Sequence, residues 1–348
     1  MKMKMFFRDA AAMLALTVAL GMNSAHAQTF SALYSFNNNG GVDNTDPLDF
    51  VNPGTLAQGQ DGNIYTTSEN GYVLNAGTFF NMSPTGALSI LDSFDPNSDG
   101  GCTNAISGVT LGSDGNFHGA LINCFTGSGA VFTVTPAGGL NFQYIFAGGS
   151  DGSQPDTAPV EGRDGNFYGT TLRGGGSDCG TIYQITPSGV LTTLHEFSRT
   201  DGCGSYAPLT LASDGNFYGV ASSGGANNDG VAFKITTSGQ YTVLYAFDSA
   251  HGNTPTGPLV QGSDGNLYGT TRAGGPQFFG GTLFKLTKFG VATVLHSFNG
   301  LTDAGADGDT PTLGLVADGL GNLFGTTAGG GLYGDGVVFE ATNAIATQ

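Results

Sequence analysis

Three oxygen-bearing side chains in one short segment have the spacing of a calcium ligand set. The segment DPNSDG, at positions 95–100, places Asp95, Asn97 and Asp99 at alternate positions before a glycine. This is how the calcium loop of an EF-hand begins. The twelfth position of that loop needs a bidentate acid, but here it is Ile106. Calcium is therefore one interpretation, and a loop turn stabilised by these side chains is the other. We expect no further cofactor.

A second candidate lies beside one copy of a recurrent DGN tripeptide. Glu161 and Arg163 precede Asp164, whereas the other copies carry uncharged residues at both positions. A residue that departs from an internal consensus toward charge is a candidate for ligand binding. The alternative is an exposed ion pair. His195 and His296 stand where other copies have tyrosine, so we expect them to pack within the fold. No GxSxG or HExxH motif is present, and no catalytic residue can be assigned.

The elements that position these residues follow from an internal repeat of about fifty residues. Four short strand-like stretches, A to D, surround each tripeptide, and no helical periodicity is seen outside the N-terminal segment. Glycines recur at the turns, where a positive φ is needed. The pattern predicts an all-β fold, a six-bladed β-propeller of four-stranded blades. Five copies of the turn begin at Asp61, Asp114, Asp164, Asp214 and Asp264, and the sixth, a GLGN variant, ends at Asn322.

The two ends of the chain predict how the ring closes. Strand D ends in phenylalanine in five units, and the sixth unit stops after its strand C. The missing strand is matched by FSALYSF, residues 30–36. Closure would remove exposed strand edges. We therefore expect residues 30–36 to complete the last blade; the alternative is a linear solenoid with polar caps.

Four cysteines predict two disulfides. Cys102 and Cys124 lie in loops of the second unit, while Cys179 and Cys203 lie in the third unit and the loop that enters the fourth. Three pairings are formally open. Because both loop types share one face of a propeller, we favour the local pairs, 102 with 124 and 179 with 203. The CxxC spacing of a zinc site is absent.

The N-terminus and the charge predict where the protein works. Residues 1–27 combine basic residues, an apolar stretch and an Ala-His-Ala cleavage site, which predicts a signal peptide followed by a single domain, 28–348. We expect a secreted or periplasmic bacterial monomer without membrane insertion. The net charge of -17 argues against nucleic acid and phosphorylated partners.

The repeat units resemble a known family. DGNLYGTT, TIYQITPSG and LHSF are similar to the consensus of the GloVer tandem repeats of exported bacterial proteins, over nearly all of the predicted mature chain. The strand order is similar to that of NHL-type propellers. The resemblance implies the propeller fold but no assigned activity.

Two functions are compatible with these observations. We expect a non-catalytic module that binds a protein or glycan ligand with its loops, because the inner strands carry one acid and no histidine. The alternative is a hydrolase or lyase that acts on a carbohydrate or lactone at the mouth of the central channel, a role the fold alone cannot establish.

Overall fold

The computed structural model describes residues 56–345, except 69–76, 96, 98–100, 104, 106, 125–126, 277–279, 300–306 and 313. These residues belong to one compact unit, 36–348. They contain no helix and form six antiparallel sheets, which confirms the predicted six-bladed β-propeller. The predicted signal peptide, 1–27, and the predicted closing strand, 30–36, lie outside the described residues.

Each sheet is one blade, and its strands follow the chain from the inner strand A to the outer strand D. Blades 1 to 3 consist of β1 (Ala57–Gln58), β2 (Ile64–Ser68), β3 (Thr78–Met82) and β4 (Leu88–Ser93); β5 (Val109–Leu111), β6 (Phe117–Leu121), β7 (Ala130–Val134) and β8 (Leu140–Ile145); β9 (Val160–Glu161), β10 (Phe167–Thr170), β11 (Thr181–Ile185) and β12 (Leu191–Glu196). Blades 4 to 6 consist of β13 (Thr210–Leu211), β14 (Phe217–Ala221), β15 (Val231–Ile235) and β16 (Tyr241–Ala246); β17 (Asn253–Pro255), β18 (Val260–Gln261), β19 (Leu267–Ala273), β20 (Thr282–Leu286) and β21 (Ala292–Ser297); β22 (Asp309–Pro311), β23 (Val316–Ala317), β24 (Leu323–Gly329) and β25 (Val338–Ala341).

The DGN tripeptide forms the turn between strands A and B by a repeated set of hydrogen bonds. In blade 1, the backbone N–H of Asn63 donates to Asp61 Oδ1 (3.1 Å), and the hydroxyl of Tyr65 donates to Asp61 Oδ2 (2.8 Å). Gly62 has a φ of 82°, a left-handed conformation that explains the glycine. The Asp therefore fixes the turn and anchors the first aromatic residue of strand B.

Aromatic side chains fill the spaces between successive blades. Five buried apolar clusters join blade 1 to 2, 2 to 3, 3 to 4, 4 to 5 and 5 to 6. Rings of neighbouring blades are in direct contact: Tyr65 stacks on Phe117 with 4.2 Å between centroids, and Tyr168 packs at a tilt against Phe217 with 4.3 Å between centroids. Each blade buries its faces against its neighbours, which is why the units are stable only as an array.

Blade 6 differs from the others at its outer side. Within the described residues, β25 pairs only with β24, whereas strand C of each earlier blade also pairs with a strand D. Val338 of β25 is 79 % exposed. No strand pairing among these residues joins blade 6 to blade 1, so closure by residues 30–36 stays a prediction.

Both disulfides have the predicted local pairing, at the end of the blades opposite the DGN turns. Cys102–Cys124 lies within blade 2, at a position where other blades have a backbone contact between two glycines, such as Gly152 with Gly174. Cys179–Cys203 joins the loop after strand B of blade 3 to the loop that enters blade 4. A search of the described residues finds no helix long and apolar enough to cross a membrane.

Candidate functional site

Glu161 and Arg163 lie at the DGN-turn end and connect blades. The Glu161 carboxylate accepts a hydrogen bond from the Ser113 backbone N–H (2.7 Å) and a second from the Ser113 hydroxyl, both in blade 2. Arg163 Nη2 donates to the Ser213 carbonyl of blade 4 (2.8 Å). The two side chains thus bind opposite neighbours rather than each other. A ligand-binding role for them stays a prediction.

The proposed calcium loop is only partly described. The Asn97 backbone N–H donates to Asp95 Oδ1 (2.8 Å), which is the turn expected of these residue types. Asp99 lies outside the described residues. In the part of the chain that the structure describes, no three His, Cys, Asp or Glu side chains are grouped closely enough to hold a metal ion.

The histidines of strand D pack as expected. His195 stacks on Tyr241 with 3.8 Å between centroids, and its Nε2 lies 3.2 Å from Asp201 Oδ2. His296 Nε2 lies 3.0 Å from Asp307 Oδ2. Each ring lies beside an acid of the loop that enters the next blade, so these contacts help to position that loop.

Among the described residues, Asp156 is a titratable side chain that takes no part in the turns or the contacts between blades. It lies in the loop that enters blade 3, shortly before the inner strand β9 begins at Val160. Its side chain is partly buried. Burial raises the pKa of Asp156 to about 6, and among the described residues no hydrogen bond or charge offsets that effect. A carboxyl that pays for burial without a partner is typical of a functional site.

The residue next to Asp156 is also unsatisfied. Thr157 Oγ1 is buried and has no hydrogen-bond partner in the described structure. The ring of Pro155, on the other side, packs against Gly129 of blade 2, which fixes the course of the loop. A buried hydroxyl without a partner costs free energy unless a bound water or ligand satisfies it.

The equivalent positions of blades 4, 5 and 6 are also polar. Counting back from each DGN turn, Asp156 aligns with Tyr206, Thr256 and Thr312, none of which is buried. The equivalents in blades 1 and 2 lie outside the described residues. These positions precede strand A of their blades, and strand A is the innermost strand of a propeller blade, so we expect them near one mouth of the channel. The set consists of one carboxyl and three hydroxyls, which we call the channel-mouth group.

This group can perform acid–base chemistry. A carboxyl with a pKa near 6 is ionised at neutral pH, yet is basic enough to accept a proton from water. The hydroxyls of Tyr206, Thr256 and Thr312 can donate to and accept from a polyhydroxylated ligand. The group therefore suits a neutral, hydroxyl-rich substrate.

Sequence comparison alone missed Asp156. The same test that selected Glu161, a charge where other units are uncharged, would have found it if extended from the strand to the preceding loop. The raised pKa has no sequence signal, because it results from burial by neighbouring loops.

The fold defines a six-bladed propeller, and this group includes a carboxyl in the loop that enters blade 3. The chain belongs to the Gloeobacter/Verrucomicrobia repeat family, whose model matches residues 52–276 and 105–339. This confirms the resemblance seen in the repeats. No curated protein matches the chain.

Solved structures with a similar fold include several enzymes. A PQQ-bound aldose sugar dehydrogenase from Streptomyces coelicolor has a TM-score of 0.51 at 13 % identity, covering 84 % of this chain and 95 % of that one. A proposed 6-phosphogluconolactonase from Bacteroides uniformis has a TM-score of 0.51 at 15 % identity, covering 83 % of each chain. These likenesses show the fold.

The comparisons correct one expectation from the sequence. The non-catalytic binding module was wrong as the favoured function, because the similar structures are described as enzymes of sugars and sugar lactones. The alternative, a hydrolase or lyase of a carbohydrate or lactone, agrees better with them. The inner strands, on which that expectation rested, do not include Asp156, which lies in the loop before β9.

The channel-mouth group does not fit the cofactor of the dehydrogenase. PQQ carries three carboxylates, whereas the group offers a carboxyl, three hydroxyls and no cation.

Proposed function

We propose that this protein is a hydrolase that opens sugar lactones at its channel mouth, with Asp156 as the general base. The observation that carries the proposal is the partly buried Asp156 carboxyl, whose pKa is raised to about 6 without a compensating partner among the described residues. The fold is compatible with such chemistry, as the similar enzymes illustrate.

The reaction needs only water as a co-reactant. The Asp156 carboxylate takes a proton from water, and the water oxygen attacks the carbonyl carbon of the lactone. The ring C–O bond then breaks, and the leaving ring oxygen receives the proton from Asp156. The product is the open-chain hydroxy acid, and the carboxylate is regenerated.

The charge of the chain favours neutral substrates. With a formal net charge of -17, the protein repels anions, so a phosphorylated lactone would be a poor substrate. A neutral lactone gives an anionic product, whose release the same charge favours.

The two disulfides support export as part of this proposal. Disulfides persist in oxidising compartments, so Cys102–Cys124 and Cys179–Cys203 agree with a secreted or periplasmic hydrolase. The predicted signal peptide, 1–27, would direct it there.

The test is whether the purified protein hydrolyses a panel of neutral aldonolactones, with the reaction monitored by the acid that hydrolysis releases. We expect Asp156→Asn to lower kcat/KM by about a hundredfold or more. Asp335→Asn, an equal charge change at an exposed position in a loop of blade 6, serves as the control. Equal activity of the wild type and Asp156→Asn on every substrate would disprove the role of Asp156.

A further inference from the structure

A cavity lies between blades 1 and 2 at the DGN-turn end. Its volume is about 160 Å³. Asp61 and Tyr65 of blade 1 form a polar wall, and Leu111, Phe117 and Pro136 of blade 2 form an apolar wall. A water molecule in the liquid occupies about 30 Å³, so the cavity has room for about five groups of that size. It suits a small ligand that is polar at one end and apolar at the other.

Asp61 presents a carboxylate to this cavity. It accepts hydrogen bonds from the Asn63 backbone N–H (3.1 Å), the Asn63 side-chain amide (2.7 Å) and the Tyr65 hydroxyl (2.8 Å). The bond from Tyr65, more than any other contribution, lowers the pKa of Asp61, so the group is ionised at neutral pH. The Asp61 side chain is exposed, so a ligand can reach it. A carboxylate has about four acceptor positions, and these three bonds leave it able to accept another donor.

Blade 5 shows which donor fits this arrangement. Asp264 accepts the same three bonds, from the backbone and side chain of Asn266 (3.1 and 2.7 Å) and from the Tyr268 hydroxyl (2.9 Å). It also accepts a fourth bond, from Lys285 Nζ at 2.9 Å. That nitrogen lies 5.8 Å from the centre of the Tyr268 ring, within the range of a cation–π contact. The turn aspartate and the tyrosine of strand B therefore form a site for a primary ammonium group.

Blade 1 keeps this arrangement but not the lysine. Lys285 is paired with Tyr268 across strands B and C, and the residue paired with Tyr65 in the same register is Asn81. Among the described residues, no charged group acts on Asp61. Basic side chains lie within 3.8 Å of three other turn aspartates, in the pairs His118–Asp114, Lys288–Asp214 and Lys285–Asp264. The carboxylate of blade 1 thus lacks a cation and borders a cavity instead.

We propose that the cavity between blades 1 and 2 binds a primary alkylammonium group of a ligand. The ammonium donates to Asp61 beside the Tyr65 ring, and the alkyl chain packs against the apolar wall. The formal net charge of -17 attracts cations to the protein. The site lies at the opposite end of the blades from the loop that carries Asp156, and it does not depend on the proposed hydrolase.

Saturation-transfer NMR with n-pentylamine as the probe tests this site. We expect saturable binding, and Asp61→Asn should raise the dissociation constant at least about tenfold because the charge is lost. Asp164→Asn makes the same change in the equivalent turn of blade 3 and should leave binding unchanged. Pentan-1-ol, which has the same chain without the charge, should bind at least about tenfold more weakly. Equal affinity of n-pentylamine for the wild type and both variants would show attraction to the acidic surface only and would overturn the proposal.

A lysine placed in blade 1 provides a second arm. Asn81→Lys introduces the residue that blade 5 has in this position, so its own ammonium should occupy the site. A melting curve establishes that the variant is folded, and we expect it to lose n-pentylamine binding. Undiminished binding to folded Asn81→Lys would overturn the proposal.

A further probe separates the two sources of an alkylammonium group. N-acetyl-lysine methylamide represents a lysine side chain of a protein, and its Nζ-acetylated form is the uncharged control. Binding of the first but not the second, at least as tight as that of n-pentylamine, assigns the site to a lysine of a protein partner. Binding of n-pentylamine alone assigns it to a free amine. If neither amine binds, the proposal is wrong.

Discussion

The two ends of the blades have opposite characters. At the DGN-turn end, blade after blade repeats the same bonds, as in Asp164, which accepts hydrogen bonds from Asn166 (3.2 Å) and Tyr168 (2.7 Å). At the loop end, the blades differ, and both disulfides, Asp156 and Tyr206 are found there. Uniform bonding stabilises the array, and the residues on which the proposed function rests lie among the departures from uniformity.

The difference teaches how to separate structure from function in a repeat protein. A charged residue that departs from the consensus is a weak signal if a neighbouring blade satisfies it, as Ser113 satisfies Glu161. It is a stronger signal if burial raises its pKa without a compensating partner among the described residues, as with Asp156. The variants below test whether residues bonded to a neighbouring blade affect only stability, whereas residues of the proposed site affect activity.

The largest effect is expected from removing the inter-blade disulfide. Cys179→Ser with Cys203→Ser should lower the free energy of unfolding by about 3 kcal/mol, because the unfolded chain gains entropy. It should also raise KM, since the loop that carries Tyr206, a member of the channel-mouth group, is released. Chemical unfolding and lactone hydrolysis measure the two effects.

The disulfide within blade 2 is the matched control. Cys102→Ser with Cys124→Ser opens a loop of similar length, 22 against 24 residues in sequence separation. It should cost a similar free energy of unfolding but leave KM unchanged. A rise in KM for both pairs would show that stability, and not the Tyr206 loop, controls binding.

A turn aspartate should affect stability alone. Burial by itself would raise the pKa of Asp264, but hydrogen bonds from Lys285, Asn266 and Tyr268 outweigh it and lower the pKa to about 2. Asp264→Ala removes these bonds and leaves the Tyr268 hydroxyl without its acceptor. We expect a loss of about 2 kcal/mol in thermal unfolding with unchanged kcat/KM. A loss of activity without a loss of stability would contradict the structural role.

Much of the fold was predictable from the repeat, and the site was not. The blade number and the strand order followed from columns of like residues, and the disulfide pairs followed from the loops in which the cysteines lie. The short strands β17 and β22 were missed, because they are loop segments that pair only through tertiary contact with β19 and β24. The bonds of Glu161 and Arg163 to other blades were missed for the same reason.

A smaller effect is expected at Glu161. Glu161→Gln keeps one acceptor for Ser113 but loses the charge, so the free energy of unfolding should fall by about 1 kcal/mol. Gln261→Ala, which removes a 2.7 Å bond from the Ser213 N–H, is the control in another blade. Urea unfolding checks both variants. If Glu161→Gln instead loses ligand binding at full stability, the site extends to the turn end.

The smallest effect concerns stability and pH. Because the pKa of Asp156 is raised in the folded protein, its protonated form is favoured there, and stability falls as pH rises from about 4 to 6. Partial exposure limits the effect to less than about 1 kcal/mol. Urea titrations at both pH values should show this decrease in the wild type but not in Asp156→Asn. Equal decreases in both would assign it to another group.

The pH dependence of kcat/KM for hydrolysis of a neutral aldonolactone tests the central claim most directly. A general base with the pKa of Asp156 predicts that the rate rises with pH through an apparent pKa near 6 and then reaches a plateau. The Asp156→Asn protein should lose this rise in kcat/KM with pH, while Asp335→Asn should keep it. If kcat/KM of Asp156→Asn still rises with pH through an apparent pKa near 6, the account is contradicted.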